Sequence, residues 1–119
     1  GVEKVVNHPT MSLGDYHLFE IKADKLPIGV NIDGVVDIYT NHTIPVDKGD
    51  TVYLFTVGYA DQFGAPMEKK SKYHRLKDLL LPNQDKKMIE QKRILVRTFS
   101  KWKGEEDQID DVLIMGLRI

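Results

Sequence analysis

The chain has 119 residues, a formal net charge of −1 and no cysteine. That length fits a single domain, 1–119, around one core, and 41% hydrophobic with 29% charged residues is the balance of a folded soluble chain rather than a disordered one. The near-neutral charge argues against non-specific nucleic-acid binding, the missing cysteine removes disulfides, zinc thiolates and thiol nucleophiles, and no apolar run approaches the roughly 20 residues that span a bilayer.

The sequence opens Gly1-Val2 without a Met, as expected of a processed or engineered start to a protein that extends upstream. A first strand is expected between Val2 and Leu13, with His8-Pro9 demanding an edge position or a break. Gly14-Asp15 is a turn signal. In His17 to Ala23 one face carries Phe19, Ile21 and Ala23 and the other Leu18, Glu20 and Lys22, the alternation of a half-exposed strand. Pro27-Ile28-Gly29-Val30 reads as a corner. Asp33-Gly34 predicts a hairpin that pairs Val30–Ile32 with Val35–Thr40.

Asp47-Lys48-Gly49-Asp50 is the next turn, leading into Thr51 to Val57, apolar on both faces and therefore expected to be a central, covered strand. Short connections between these strands predict antiparallel pairing. The period then changes. Tyr73, Leu76 and Leu80 stand at helical spacing and Pro82 stops the run. Asp85 is the expected cap of a second helix, whose apolar stripe is Met88, Leu95, Phe99 and Trp102 with Val96 beside it. Lys101 and Lys103 suit the negative end of that helix and Gly104 its exit. A final buried strand is expected over Val112 to Ile119. Strands, two helices and a last strand make an α+β domain.

Chemistry is sparse. Asp61 lies in a loop, Gly58 to Gly64, after a buried strand, and Asp110-Asp111 precede the last strand. Carboxylates on neighbouring strand ends can converge on a hard cation such as Mg²⁺ or Mn²⁺. On spacing alone, turns and caps are the commoner use of such residues. His8, His17, His42 and His74 show no metal-ligand spacing, and Ser12, Ser71 and Ser100 lack a nucleophile-elbow context. The run Lys69-Lys70-Ser71-Lys72 reads as a solvated helix entrance.

Several longer words stand in a fixed order: Ile21-Lys22-Ala23-Asp24-Lys25-Leu26-Pro27-Ile28-Gly29, Lys48-Gly49-Asp50-Thr51-Val52-Tyr53-Leu54-Phe55-Thr56, Gly58-Tyr59-Ala60-Asp61-Gln62-Phe63-Gly64, the Gln91 to Gly104 helix, and Asp110-Asp111-Val112-Leu113-Ile114. Over nearly its whole length the chain resembles the PPM-type (protein phosphatase 2C-like) serine/threonine phosphatase domain of the stage II sporulation E (SpoIIE) class, in its C-terminal part. The resemblance implies an antiparallel β-sandwich with flanking helices, and aspartates at one end holding two Mn²⁺ or Mg²⁺ ions. It also implies hydrolysis of phosphoserine or phosphothreonine by a metal-activated water. Asp110 matches the metal-binding Asp before the last strand, with Asp111 beside it. Asp61 matches the second Asp of an S/T-D-G-x-x-D motif, and Gly58 its glycine.

Two departures qualify that reading. Val57 stands where the principal Asp ligand belongs, and a valine offers no oxygen. In the family a first metal Asp stands in an upstream strand before a D-x-x-G-H-G-like segment, and this chain has none of that; its Val6-Asn7-His8-Pro9 resembles the A-N-N-P that follows. The 119 residues alone are therefore expected to be inactive, leaving it open whether the parent is an enzyme or a degenerate pseudophosphatase that binds a phosphoprotein or relays a signal. The resemblance implies a bacterial signalling protein with an upstream sensor domain, itself soluble or membrane-anchored, working in the cytoplasm on a phosphorylated regulator such as an anti-sigma-factor antagonist. Uncovered strand edges lead to the expectation of a homodimer or other homo-oligomer.

Overall fold

The computed structural model describes residues 3–5, 9–24, 39–56, 58–61, 73–108 and 111–119, with the backbone alone at 3–5, 60 and 61. The first elements are short strands: β1 Glu3–Val5, β2 Met11–Leu13, β3 Tyr16–Leu18 and β4 Asn41–Thr43. Pro9 lies outside both β1 and β2, so the long first strand expected from sequence is broken. β2 and β3 form the expected hairpin, with Leu13 opposite Tyr16 and Gly14-Asp15 as its two-residue loop. Gly14 has φ +57° and no described non-glycine residue has positive φ. That is the pattern of a type II′ turn, which places glycine first.

Strand β3 ends at Leu18, and the alternation through Ala23 does not continue it. Instead, the Glu20 carboxylate meets Lys77 in a half-buried ion pair, and the Glu20 N–H donates to the Thr10 hydroxyl at 3.2 Å. These contacts carry the segment across to the first long helix rather than along a sheet. β1 runs parallel to β4, with Lys4 opposite His42, which corrects the expectation of antiparallel pairing throughout. Residues 6–40 between them are ample chain for the crossover that parallel strands require. The hairpin expected over 30–40 lies outside the described residues except for Tyr39 and Thr40, which are not in a strand.

The better-built half begins at the Asp47–Asp50 turn, closed by the Asp50 N–H on the Asp47 carbonyl at 3.0 Å. Next comes β5 (Thr51–Phe55), which pairs antiparallel with β6 (Ile114–Arg118), with Tyr53 opposite Gly116. Between them lie a one-turn helix α1 (Gly58–Asp61), then α2 (His74–Leu80), a 3₁₀ turn at Leu81–Asn83, and α3 (Met88–Lys103). Pro82 ends α2 as its sequence predicts. Asp85 does not cap α3: the chain passes through the turn first, and Lys87 is the extended N-cap without a side-chain bond. Gly104 supplies the positive φ, +56°, at the exit, where its N–H reaches the Ser100 carbonyl.

The core sits where α1, α2 and α3 meet one face of β5–β6. Tyr59, Leu76 and Leu80 are buried, and Tyr53, Leu79, Leu95, Phe99, Trp102, Val112 and Ile114 pack against them. Full burial of such side chains is worth roughly 1.5–3 kcal/mol each. Val96 is not part of this stripe; it is 58% exposed.

A polar pin fixes α3 to the sheet beside that core. Buried Gln91 accepts from the Tyr53 hydroxyl and donates to the Lys86 carbonyl at 3.0 Å. Gln84 donates to the Tyr53 hydroxyl at 2.7 Å, and Arg118 donates to the carbonyls of Gln84 and Lys86 at 2.8 and 3.1 Å. Both ends of the Gln91 amide are satisfied, so its burial carries little penalty.

The unbroken apolar runs led to the expectation of cover on both faces, and the structure corrects it: β5 and β6 are each covered on one face. Val52, Leu54, Leu113, Met115, Leu117 and Ile119 lie on the opposite face and are exposed, Leu54 at 65%. Among the described residues the sheets are two-stranded. The architecture is α+β.

Gly116 tests the packing of the covered face. A Cβ there would stand 2.7 Å from Met88 Cε and 3.1 Å from the Tyr53 ring. The Met88 terminus can swing aside, but the Tyr53 ring is held by the Gln84 and Gln91 bonds. Gly116→Val is expected to lower stability by about 1–3 kcal/mol through overpacking, measured by urea denaturation; unchanged stability would show that the face is looser than described.

Candidate functional site

The end of β5 and the approach to β6 are tied together by one side chain. The Thr56 N–H donates to the Leu113 carbonyl at 3.0 Å, extending the β5–β6 ladder by one rung. The Thr56 hydroxyl then accepts from the Leu113 N–H and donates to the Asp111 carbonyl, each at 3.0 Å. A hydroxyl can donate once and accept more than once, so Thr56 clamps residues 111–113 against the strand end. The far end of the same pair is closed separately, by Gly49 N–H to the Ile119 carbonyl at 3.0 Å and Ile119 N–H to the Asp50 carbonyl at 2.8 Å.

Helix α1, just beyond the clamp, is anchored from below. Gly58 and Tyr59 are both buried in it. The Tyr59 ring lies 5.3 Å from Phe99 and edge-on to Trp102 at 6.0 Å, and its hydroxyl donates to the Leu95 carbonyl at 2.9 Å. Burial pushes the Tyr59 phenol well above its ordinary value, and burial pushes Tyr53 upward too, against the hydrogen bond from Gln84 and the Arg118 charge. The backbone of Asp61 is the last residue of this anchored turn.

Of the residues singled out from sequence, Gly58 and Asp111 are therefore brought to the same end of the β5–β6 pair. Val57 and Asp110 themselves, and the side chain of Asp61, lie outside the described residues. Asp111 is exposed. Among the described residues no group of three or more His, Asp or Glu stands close enough to hold a metal ion. The donor types at 61, 110 and 111 are carboxylates and suit a hard divalent cation; Val57 adds nothing to that set.

His17 and His74 have ordinary local partners, Ser12 at 2.8 Å across the hairpin and Asp78 at 2.9 Å one helical turn on. Sequence reasoning missed Thr56 and Tyr59. Thr56 at the S/T position of the S/T-D-G-x-x-D motif, and an aromatic residue directly after Gly58, were the available signals.

The Tyr59 anchor has a pH signature. A phenol whose folded pKa lies above the unfolded value of 10.0 holds its proton while the unfolded chain releases it. The associated stability is intact below about pH 10 and falls as pH rises further toward the folded values. Thermal melts from pH 8 to 11 should show that decline, and Tyr59→Phe should make it shallower while costing about 1 kcal/mol at neutral pH through the lost bond to Leu95. An identical alkaline slope in the variant would contradict the anchor.

A comparison with curated proteins gives no match, and neither does one with solved structures. A comparison with family models gives a match to stage II sporulation protein E (SpoIIE) over residues 7–119. The match takes in β2 to β6, all the helices and the Thr56 clamp, and on it the chain belongs to the SpoIIE family of PPM-type phosphatase domains.

Proposed function

We propose that the pole of β5–β6 closed by Thr56 is the metal end of a phosphoserine/phosphothreonine phosphatase domain. The observation that carries this reading is the Thr56–Asp111 bond, at 3.0 Å. It joins the residue just before position 57 to the residue just after position 110, the two positions where family resemblance puts metal carboxylates. In this reading Asp110 and Asp61 are the ligands that the chain supplies to Mn²⁺ or Mg²⁺, with Gly58 and Asp111 lining the site. A bound pair of ions would supply the activated water for hydrolysis. The protein's own contribution is to hold the two carboxylate-bearing segments at one pole.

The exposed apolar face of Val52, Leu54, Leu113, Met115, Leu117 and Ile119 is the surface that the second sheet of a β-sandwich covers. Where that sheet is lacking, a second copy of this chain is the natural cover, and a homo-oligomer results. Family membership points to a signalling role with a phosphorylated regulatory protein as partner and a sensor domain elsewhere in the parent. That family role places its work in the cytoplasm; among the described residues no helix is long and apolar enough to cross a membrane.

Val57 favours a second reading. With no oxygen at a principal ligand position, the site is short of both ligands and charge, and the domain serves as a pseudophosphatase that binds a phosphoprotein. The two readings part on Mn²⁺-dependent hydrolysis of a phosphoserine peptide by the full-length protein. The phosphatase reading predicts turnover that Asp110→Asn reduces by at least about a hundredfold, as expected for loss of a ligand in metal-assisted catalysis. The pseudophosphatase reading predicts no turnover until Val57→Asp restores the ligand. Turnover indifferent to Asp110→Asn would overturn the placement of the site.

A further inference from the structure

The outward face of α3 carries a feature that the phosphatase reading leaves unused. The inward stripe of this helix, Gln91, Leu95, Phe99 and Trp102, is committed to the core and the polar pin. On the other side, Ile89 and Val96 are 51% and 58% exposed, two helical turns apart and so in line. Together with Lys92, Arg93 and Arg97 they form an open surface patch along α3. Among the described residues no ion pair is made to any of these three bases. The helix bears Lys92, Arg93, Arg97, Lys101 and Lys103 against a single acid, Glu90, in a chain whose net charge is −1.

The geometry points to a docking surface for an acidic amphipathic helix of a partner protein. Two apolar side chains spaced seven residues apart and flanked by charge are what a second helix meets when it packs along the first, and the sign of the flanking charge selects a partner rich in Asp and Glu. A second copy of this chain fits poorly: two-fold pairing of α3 with itself would set Arg93 and Arg97 among their own counterparts, which like-charge repulsion disfavours. An anionic bilayer also fits poorly, because interfacial helices insert Trp, Phe or Leu, and the aromatic residues of α3 are turned into the core.

The test uses the full-length protein and a fluorescein-labelled, Ala-rich helical peptide of about 20 residues. The peptide has Leu at every seventh position and Glu beside each Leu; a control carries Lys in place of Glu. Anisotropy titrations should show binding of the Glu peptide alone. Arg93→Glu/Arg97→Glu should weaken it at least about tenfold, and Ile89→Ser/Val96→Ser at least about fivefold, with helical circular dichroism and melting temperature showing that both variants stay folded. Failure of the Glu peptide to bind, equal binding of the Lys peptide, or variants that bind as the parent does would overturn the proposal. So would either alternative occupant: binding to vesicles of about 30% phosphatidylserine that the Arg variants abolish, or a change of sedimentation mass in those variants that reveals a second copy on this face.

Discussion

The Thr56 hydroxyl holds together the part of the molecule on which its reading depends. Two strands can be in register along their length and still splay at the end, because the last residues have fewer partners and fray. Thr56 prevents this by accepting the Leu113 N–H and donating to the Asp111 carbonyl, so the chain entering β6 stays level with the chain leaving β5. Below it, Tyr59 turns the exit from β5 down onto α3 and fixes it to the Leu95 carbonyl. Neither residue carries chemistry of its own. Their effect is to decide which acidic segments share a pole.

The remainder of the well-built half depends on a two-layer arrangement. Helix α3 lies over one face of β5–β6, and Gly116 lets it approach closely enough for Met88 to reach the strand. The polar pin of Tyr53, Gln84, Gln91 and Arg118 sets the position of the helix in a way that apolar contacts alone would not, since hydrogen bonds are directional and a fully satisfied network has one arrangement. The opposite face carries side chains as apolar as a core. The same two strands thus present a finished surface to the helices and an unfinished one to whatever lies beyond.

Local signals in the sequence were legible wherever the chain's own chemistry decided the outcome. Gly14-Asp15, the Asp47–Asp50 turn, the stop at Pro82 and the exit at Gly104 each depend on the conformations of a few residues, and each is found in place. The stripe of Leu95, Phe99 and Trp102 was readable because its period is helical. The misreadings have two causes, a local turn that shifted a helix start and relations between segments distant in sequence. Asp85 lost its capping role once a 3₁₀ turn displaced the helix start to Lys87. Apolar runs at 51–57 and 112–119 suggested burial on both faces, yet a pattern of side chains cannot say how many layers are present to cover it. The parallel pairing of β1 with β4 is a relation between segments that no short-range pattern carries. At the site, resemblance named Asp110, Asp61 and Val57; Thr56, which ties the ends of β5 and β6 together, stands at the S/T position of the same motif, but a hydroxyl's partners across a sheet cannot be read from its place in a motif.

The central claim is that divalent ions, when they bind, do so at the Thr56 end of the β5–β6 pair. Paramagnetic broadening of amide resonances by Mn²⁺ tests it directly, because the effect falls steeply with distance and registers even weak, fractional occupancy. The account predicts that the amides of Thr56, Gly58, Asp111 and Leu113 broaden first while those of Gly49 and Ile119, at the opposite end of the same strands, stay sharp. Broadening centred on Gly49 and Ile119, or uniform over the sheet, would contradict it.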